Sequence, residues 1–390
     1  MSPTHPTRRT ILGSSDAATL RACLDPAEGP ASPAWRDVAA PGFVVRATAD
    51  PALARAMPVV AARLEAAGAL ASLAPPDRAE ATALRAWSLS SAAAMRGALL
   101  PLGEACARAR VPAFLCKGAA LHGLLYPEPS SRPAADADLF VPSRDVARFV
   151  ALLPDLCFEP SADAEARVEA FVRTGARRAW LVDLAYGAPA GDLVVEVKAD
   201  PVGIGLPPRR LDALAEGGTP SPVYPGLLVP SAETMVLQQA FSLARRPSPD
   251  LLAHAELAGV LWARRHELRP ERVFDLVRGE GLTGILRGVL EETDRAFPGV
   301  VPPTLLRRRG RPAGYTPPRI RRGTLAGQPR ETGWTRLSFW GAQAIGGRPL
   351  GTLAWMLGRL FPPQPLLATL TGGRRGLAAT GTRLVRLALG

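Results

Sequence analysis

Two aspartates one residue apart on an apolar run, Asp136-Ala137-Asp138-Leu139-Phe140-Val141, constrain this chain more than any other feature. In a β-strand, residues i and i+2 project from the same face, so both carboxylates leave one strand together. Like charges held that close repel unless a cation lies between them. Carboxylates are hard oxygen ligands suited to Mg²⁺ beside a nucleotide phosphate. Upstream, Lys117-Gly118 closes another apolar segment, and Arg132 stands four residues before Asp136. A lysine and an arginine so placed could hold phosphate oxygens. The constellation points to phosphoryl or nucleotidyl chemistry.

The chain has 390 residues, enough for two or three packed units. Its basic residues are nearly all arginine: 45 of 47, with Lys117 and Lys198 the only lysines. Each lysine lies within a few residues of a candidate site acid. The formal charge of +12 is unevenly spread. Residues 301–390 carry 15 arginines against the single acid Glu331, a net +14, which leaves residues 1–300 at −2. The high isoelectric point therefore belongs to the tail, and the near-neutral body argues against a long nucleic-acid substrate tracked along a basic groove.

The four cysteines form no CxxC pair and no metal-finger spacing, which suits a reduced, cytoplasmic setting. Arg8-Arg9 looks superficially like a twin-arginine export signal, but Ser14-Ser15-Asp16 follows where an apolar segment is required. No uncharged apolar stretch is long enough for a transmembrane span.

Residues 1–100 read as an irregular, Pro/Ala-rich start followed by helices, divided by Pro75-Pro76. Residues 101–200 change character. Val111–Cys116 predicts a short buried strand, Ala119–Tyr126 a short helix, and Arg132–Val141 a second strand. Ala179–Tyr186 and Leu193–Lys198 predict a hairpin whose second strand carries Glu196 among valines. An acid in such a strand needs a partner, and either a shared metal or the nearby Lys198 would supply one. Residues 201–300 predict a helical unit, with Ser231 as an N-cap. Residues 301–390 form the Arg-rich, Pro/Gly-rich tail with apolar helical segments. Asp163-Ala164-Glu165 repeats the acid-x-acid spacing in a charged helical stretch, where it carries no site meaning.

In order, these features resemble the polymerase-β-like nucleotidyltransferase superfamily. They are most similar to its uncharacterised bacterial branch with a Lys-Gly motif, a Tyr-Pro, an Arg and an Asp-x-Asp strand. Those elements here are Lys117-Gly118, Tyr126-Pro127, Arg132 and Asp136–Val141, and the resemblance spans roughly residues 104–290. The branch carries an acid two residues before a histidine on a later strand; this chain has Glu196-Val197-Lys198, with lysine in the histidine's place.

The resemblance implies an α/β (α+β) fold, a small mixed sheet with flanking N- and C-terminal helices. It implies that Asp136, Asp138 and Glu196 hold Mg²⁺ and act catalytically, while Lys117, Gly118 and Arg132 bind the phosphates of an NTP. The reaction would move an NMP to an unknown hydroxyl acceptor with release of pyrophosphate. Lys198 reads as structural or solvated. Two other readings stay open: a non-catalytic nucleotide-binding scaffold, and an adaptor whose basic tail, interleaved with Trp334, Phe339, Trp340, Trp355 and Phe361, contacts anionic lipid or nucleic acid at a membrane periphery.

Overall fold

The computed structural model describes residues 19–20, 23–25 and 34–307, apart from 51–52, 175–181, 190–192, 204–205, 246–250 and 279–281. The expectations for the irregular start and for the tail beyond 307, including its apolar helices and its lipid or nucleic-acid contacts, lie outside the described residues.

Among the described residues, seven strands form one mixed sheet: β1 (Phe114–Leu115), β2 (Asp136–Phe140), β3 (Glu159–Pro160), β4 (Asp183–Gly187), β5 (Val194–Lys198), β6 (Thr219–Pro220) and β7 (Leu228–Val229). Their spatial order is β3-β4-β5-β2-β1-β7-β6. β2 and β5 run parallel at the centre, with Asp138 paired to Glu196. β4 and β5 make the antiparallel pair that the sequence predicts. Alternation fixes the register. Ala137 and Leu139 of β2, with Val195 and Val197 of β5, are fully buried on one face. A one-residue slip would turn the acids into that core.

Before the sheet lie helices α1 (Ala34–Val38), α2 (Phe43–Ala49), α3 (Met57–Ala66) and α4 (Pro75–Ala109). Pro75 and Pro76 open α4 in its first turn, where a missing N–H costs nothing. Three short helices, α5 (Val146–Val150), α6 (Ala164–Thr174) and α7 (Pro208–Leu214), lie along the strand region. The chain then continues as α8 (Ala232–Ala244), α9 (Leu251–Ala263), α10 (Pro270–Val277), α11 (Thr283–Ala296) and α12 (Pro303–Arg307). Ser231 caps α8, its Oγ accepting the Thr234 N–H at 3.3 Å. α8 is buried almost all round, and α9, α10 and α11 pack on it. One apolar core joins the early helices, the sheet and the late helices through to Leu305.

Three local features depart from the sequence reading. Ala119–Tyr126 completes only a 3₁₀ turn, Ala119–Leu121. Gly123 breaks it at φ +79°, and a Cβ there would fall 2.6 Å from Pro222. Val111–Cys116 contributes only Phe114 and Leu115 as a strand. β6 and β7 lie in a stretch read as helical, and β7 pairs parallel with β1. Among the described residues, no helix is long and apolar enough to cross a membrane.

Candidate active site

The approach to β2 is held from outside the sheet. Ser91 on α4 donates its hydroxyl to the Ala134 carbonyl at 2.7 Å and accepts the Ala134 N–H at 3.1 Å. Arg85, one turn and a half earlier on the same helix, donates to the Ser130 carbonyl at 2.5 Å. These bonds satisfy a loop backbone that would otherwise be buried unpaired, and they set where β2 begins.

From there the pleat places the acids. Asp136 is exposed, Asp138 buried and Glu196 half-buried, and one oxygen from each lies within 4.8 Å of the others. Oxygens on opposite sides of a Mg²⁺ with bonds near 2.1 Å sit about 4.2 Å apart. The carboxylates therefore need draw in by only about half an ångström, so three hard oxygen donors fit a small divalent ion. Glu196 reaches this cluster because its strand is the parallel neighbour of β2, in register at Asp138.

Both lysines of the chain converge on the same carboxylate. Lys117 Nζ donates to Asp138 Oδ1 at 2.7 Å, and Lys198 Nζ donates to that oxygen at 2.5 Å. Lys198 also donates to Glu196 Oε2 at 2.5 Å. Burial raises the Asp138 pKa, but the Lys198 and Lys117 ammoniums outweigh it and hold the group down at about 2. Burial likewise lowers the Lys198 pKa, and Asp138, Glu196 and Asp183 reverse the shift, so Lys198 stays charged. Glu196 thus pairs with Lys198 while lying within reach of the other two acids. Lys198 is itself in the cluster.

Lys117 follows β1 with φ +48°, a left-handed conformation that costs a non-glycine residue roughly 1–2 kcal/mol. That conformation turns the chain sharply at the end of β1, where the Lys117 ammonium meets Asp138. Gly118 has ordinary helical angles (φ −59°, ψ −44°). Its requirement is for space: a Cβ there would overlap Arg132 Nη1 and lie 2.6 Å from Cζ.

Arg132, read from the sequence as a phosphate clamp, is buried behind this turn. Its Nε donates to Glu256 Oε1 at 2.7 Å. The Tyr126 hydroxyl donates to the same oxygen at 3.3 Å. His122 lies alongside, with Nε2 3.2 Å from the Arg132 carbonyl and Nδ1 2.9 Å from the Tyr224 hydroxyl. A carbonyl only accepts, so Nε2 carries the proton and Nδ1 accepts from Tyr224. Burial pushes the His122 pKa down to about 4 and keeps the ring neutral. The Tyr-Pro and Arg elements therefore meet at one buried acid, Glu256, which the sequence reading missed. The available signal was a single glutamate in the mostly apolar helix Leu251–Ala263, because a buried acid needs partners.

The decoy pair behaves as surface structure: Asp163 pairs with Arg167 at 2.5 Å, one helical turn on. Cys23, Cys106 and Cys116 are buried, while Cys157 is exposed.

A small mixed sheet, acids at i and i+2 on one strand and a third acid on its parallel neighbour define an α+β nucleotidyltransferase. The chain belongs to the family described as uncharacterised nucleotidyltransferase, whose model matches residues 52–297. That span takes in α4, so the helix that holds the β2 approach belongs to the family unit. No curated protein and no solved structure matches the chain.

Proposed function

We propose that this nucleotidyltransferase transfers an NMP from an NTP to a hydroxyl acceptor, releasing pyrophosphate, with Mg²⁺ as its metal. The observation that carries this is the meeting of Asp136, Asp138 and Glu196 within 4.8 Å on two parallel strands. These three residues would hold the ion, which when bound supplies charge neutralisation at the triphosphate and a more acidic acceptor hydroxyl. Glu196, half-exposed, would accept the proton of the attacking hydroxyl. Lys117 would offset charge on the departing phosphates.

Arg132 contributes in this reading by position. Its guanidinium is tied to Glu256 and pressed on Gly118, so it holds the Lys117-Gly118 turn against β2. With Nε committed to Glu256, a direct bond to phosphate would fall to an Nη donor. The acceptor class follows from the in-line chemistry alone: a sugar, small metabolite, protein side chain or RNA end all present a suitable hydroxyl.

The test incubates purified protein with Mg²⁺ and each α-labelled NTP, wild type beside Asp138→Asn. Label transfer or pyrophosphate release by wild type is expected. The variant should fall by at least about a hundredfold, since metal-borne stabilisation is worth several kcal/mol. Mg²⁺-dependent NTP binding with no turnover on any acceptor offered, by a folded wild type, would overturn the catalytic reading in favour of a nucleotide-binding scaffold.

A further inference from the structure

The only two lysines in a chain with 45 arginines both bond Asp138 Oδ1. That choice has a physical reason. A guanidinium is a planar fork, whereas an ammonium is a compact charge with three rotatable donors. The compact group can sit, as a small cation does, between two carboxylates on neighbouring strands. Lys198 does this: its Nζ lies 2.5 Å from both Asp138 Oδ1 and Glu196 Oε2. A third acid, Asp183, stands opposite Lys198 in the β4–β5 pairing and adds negative charge that favours the ammonium.

The lysines engage one oxygen of Asp138 and one of Glu196. Among the described residues, no hydrogen bond or ion pair engages the Asp136 carboxylate, and Asp138 Oδ2 carries none either. The donors left for a divalent ion are the Asp136 carboxylate, Asp138 Oδ2 and Glu196 Oε1. The Asp138–Glu196 side of the cluster already holds a positive charge.

We propose that Lys198 is a built-in cation of this site, its ammonium standing between Asp138 and Glu196 where a second divalent ion would otherwise be held. The site then takes one divalent ion, held by Asp136, Asp138 Oδ2 and the Glu196 oxygen that Lys198 does not engage. This inference rests on the metal-site reading above. It goes further by assigning the ion count and a specificity-determining role to Lys198.

Two measurements on the full chain test it. Mn²⁺ titration followed by electron paramagnetic resonance should count one tightly bound ion per wild-type molecule. Lys198→Met should gain a second ion or bind Mn²⁺ at least tenfold more tightly, while Lys198→Arg, which keeps a charge, should do neither. Two ions on wild type, or unchanged count and affinity in Lys198→Met, would overturn the role of Lys198 and leave the metal site standing. No Mn²⁺ bound by folded wild type would overturn the metal site itself.

The second measurement needs no variant beyond one for assignment. Protein labelled with ¹⁵N-lysine should show two ammonium resonances, assigned through Lys198→Arg. With saturating Mg²⁺, the Lys198 signal should persist as a hydrogen-bonded, exchange-protected ammonium. Its collapse into the exchange-broadened behaviour of a solvated lysine would show the ion displacing it, and would overturn the proposal even if Lys198→Met fails to fold.

Discussion

Gly118 lies against the guanidinium of Arg132 so closely that a single added carbon would overlap Nη1. The arginine cannot step aside, because its Nε is fixed on Glu256. Gly118→Ala, although its backbone angles suit any residue, should therefore destabilise the protein by about 1–3 kcal/mol, the range for overpacking a filled site. The melting temperature should drop by about 2–4 °C for each kcal/mol lost. NTP turnover should fall in parallel, because the turn that carries Lys117 shifts. An unchanged melting curve would contradict the contact.

Glu256 balances a buried positive charge, with the Arg132 side chain 11% exposed and its own 4%. Glu256→Ala should cost about 3–5 kcal/mol, most of it the penalty of stranding Arg132. The double variant Arg132→Met/Glu256→Leu should recover most of that loss, since an apolar pair of similar size replaces a desolvated ion pair at little cost. Urea unfolding of the two singles and the double gives the coupling. Additive losses would argue that the two residues act independently.

Acid should weaken the fold through His122. Its folded pKa of about 4 lies below the ordinary value near 6.5, so between these values the unfolded chain binds the extra proton. The stabilisation is complete above about pH 6.5 and is lost as pH falls toward 4. At pH 5 the loss should be roughly 2 kcal/mol relative to pH 7.5. His122→Asn should unfold more readily at pH 7.5 and show a flatter profile across this window. A profile as steep as wild type would assign the acid sensitivity to other groups.

Ser231 offers a change of stability without a change of chemistry. Its Oγ caps α8 through the Thr234 N–H, and Ser231→Ala should cost about 1 kcal/mol. Pyrophosphate release per folded molecule at 25 °C should stay within error of wild type, because the residue touches none of the site groups. A large loss of turnover would place α8 in the catalytic machinery.

The sequence revealed features carried by local pattern. Alternation over five residues marks β2 and β5, and the same-face rule brings Asp136 and Asp138 together. Ser231 and Pro75-Pro76 announce helix starts by their own capping chemistry. Less legible were elements too short to have a period: β6 and β7 offer two residues each. The partners of Arg132 and His122 were hidden for another reason. Glu256 and Tyr224 are more than a hundred positions downstream, and no local rule pairs residues across that distance. Lys198 was visible as a departure from the expected histidine, but its bond to Asp138 depends on the parallel register of β2 and β5.

The link from Arg132 to Glu256 also bears on how the protein is made. A ribosome releases Asp136 and Asp138 well before Glu256, and at about 5–20 residues per second the interval is roughly 6–24 s. During that time the guanidinium behind Gly118 lacks its Glu256 partner, and the strand bearing the aspartates lacks a finished support. Pairings of such long sequence separation also close slowly. A nascent chain that pairs β2 early would carry that strand without its finished support until Glu256 emerges, and that is the interval in which chaperone binding would matter most.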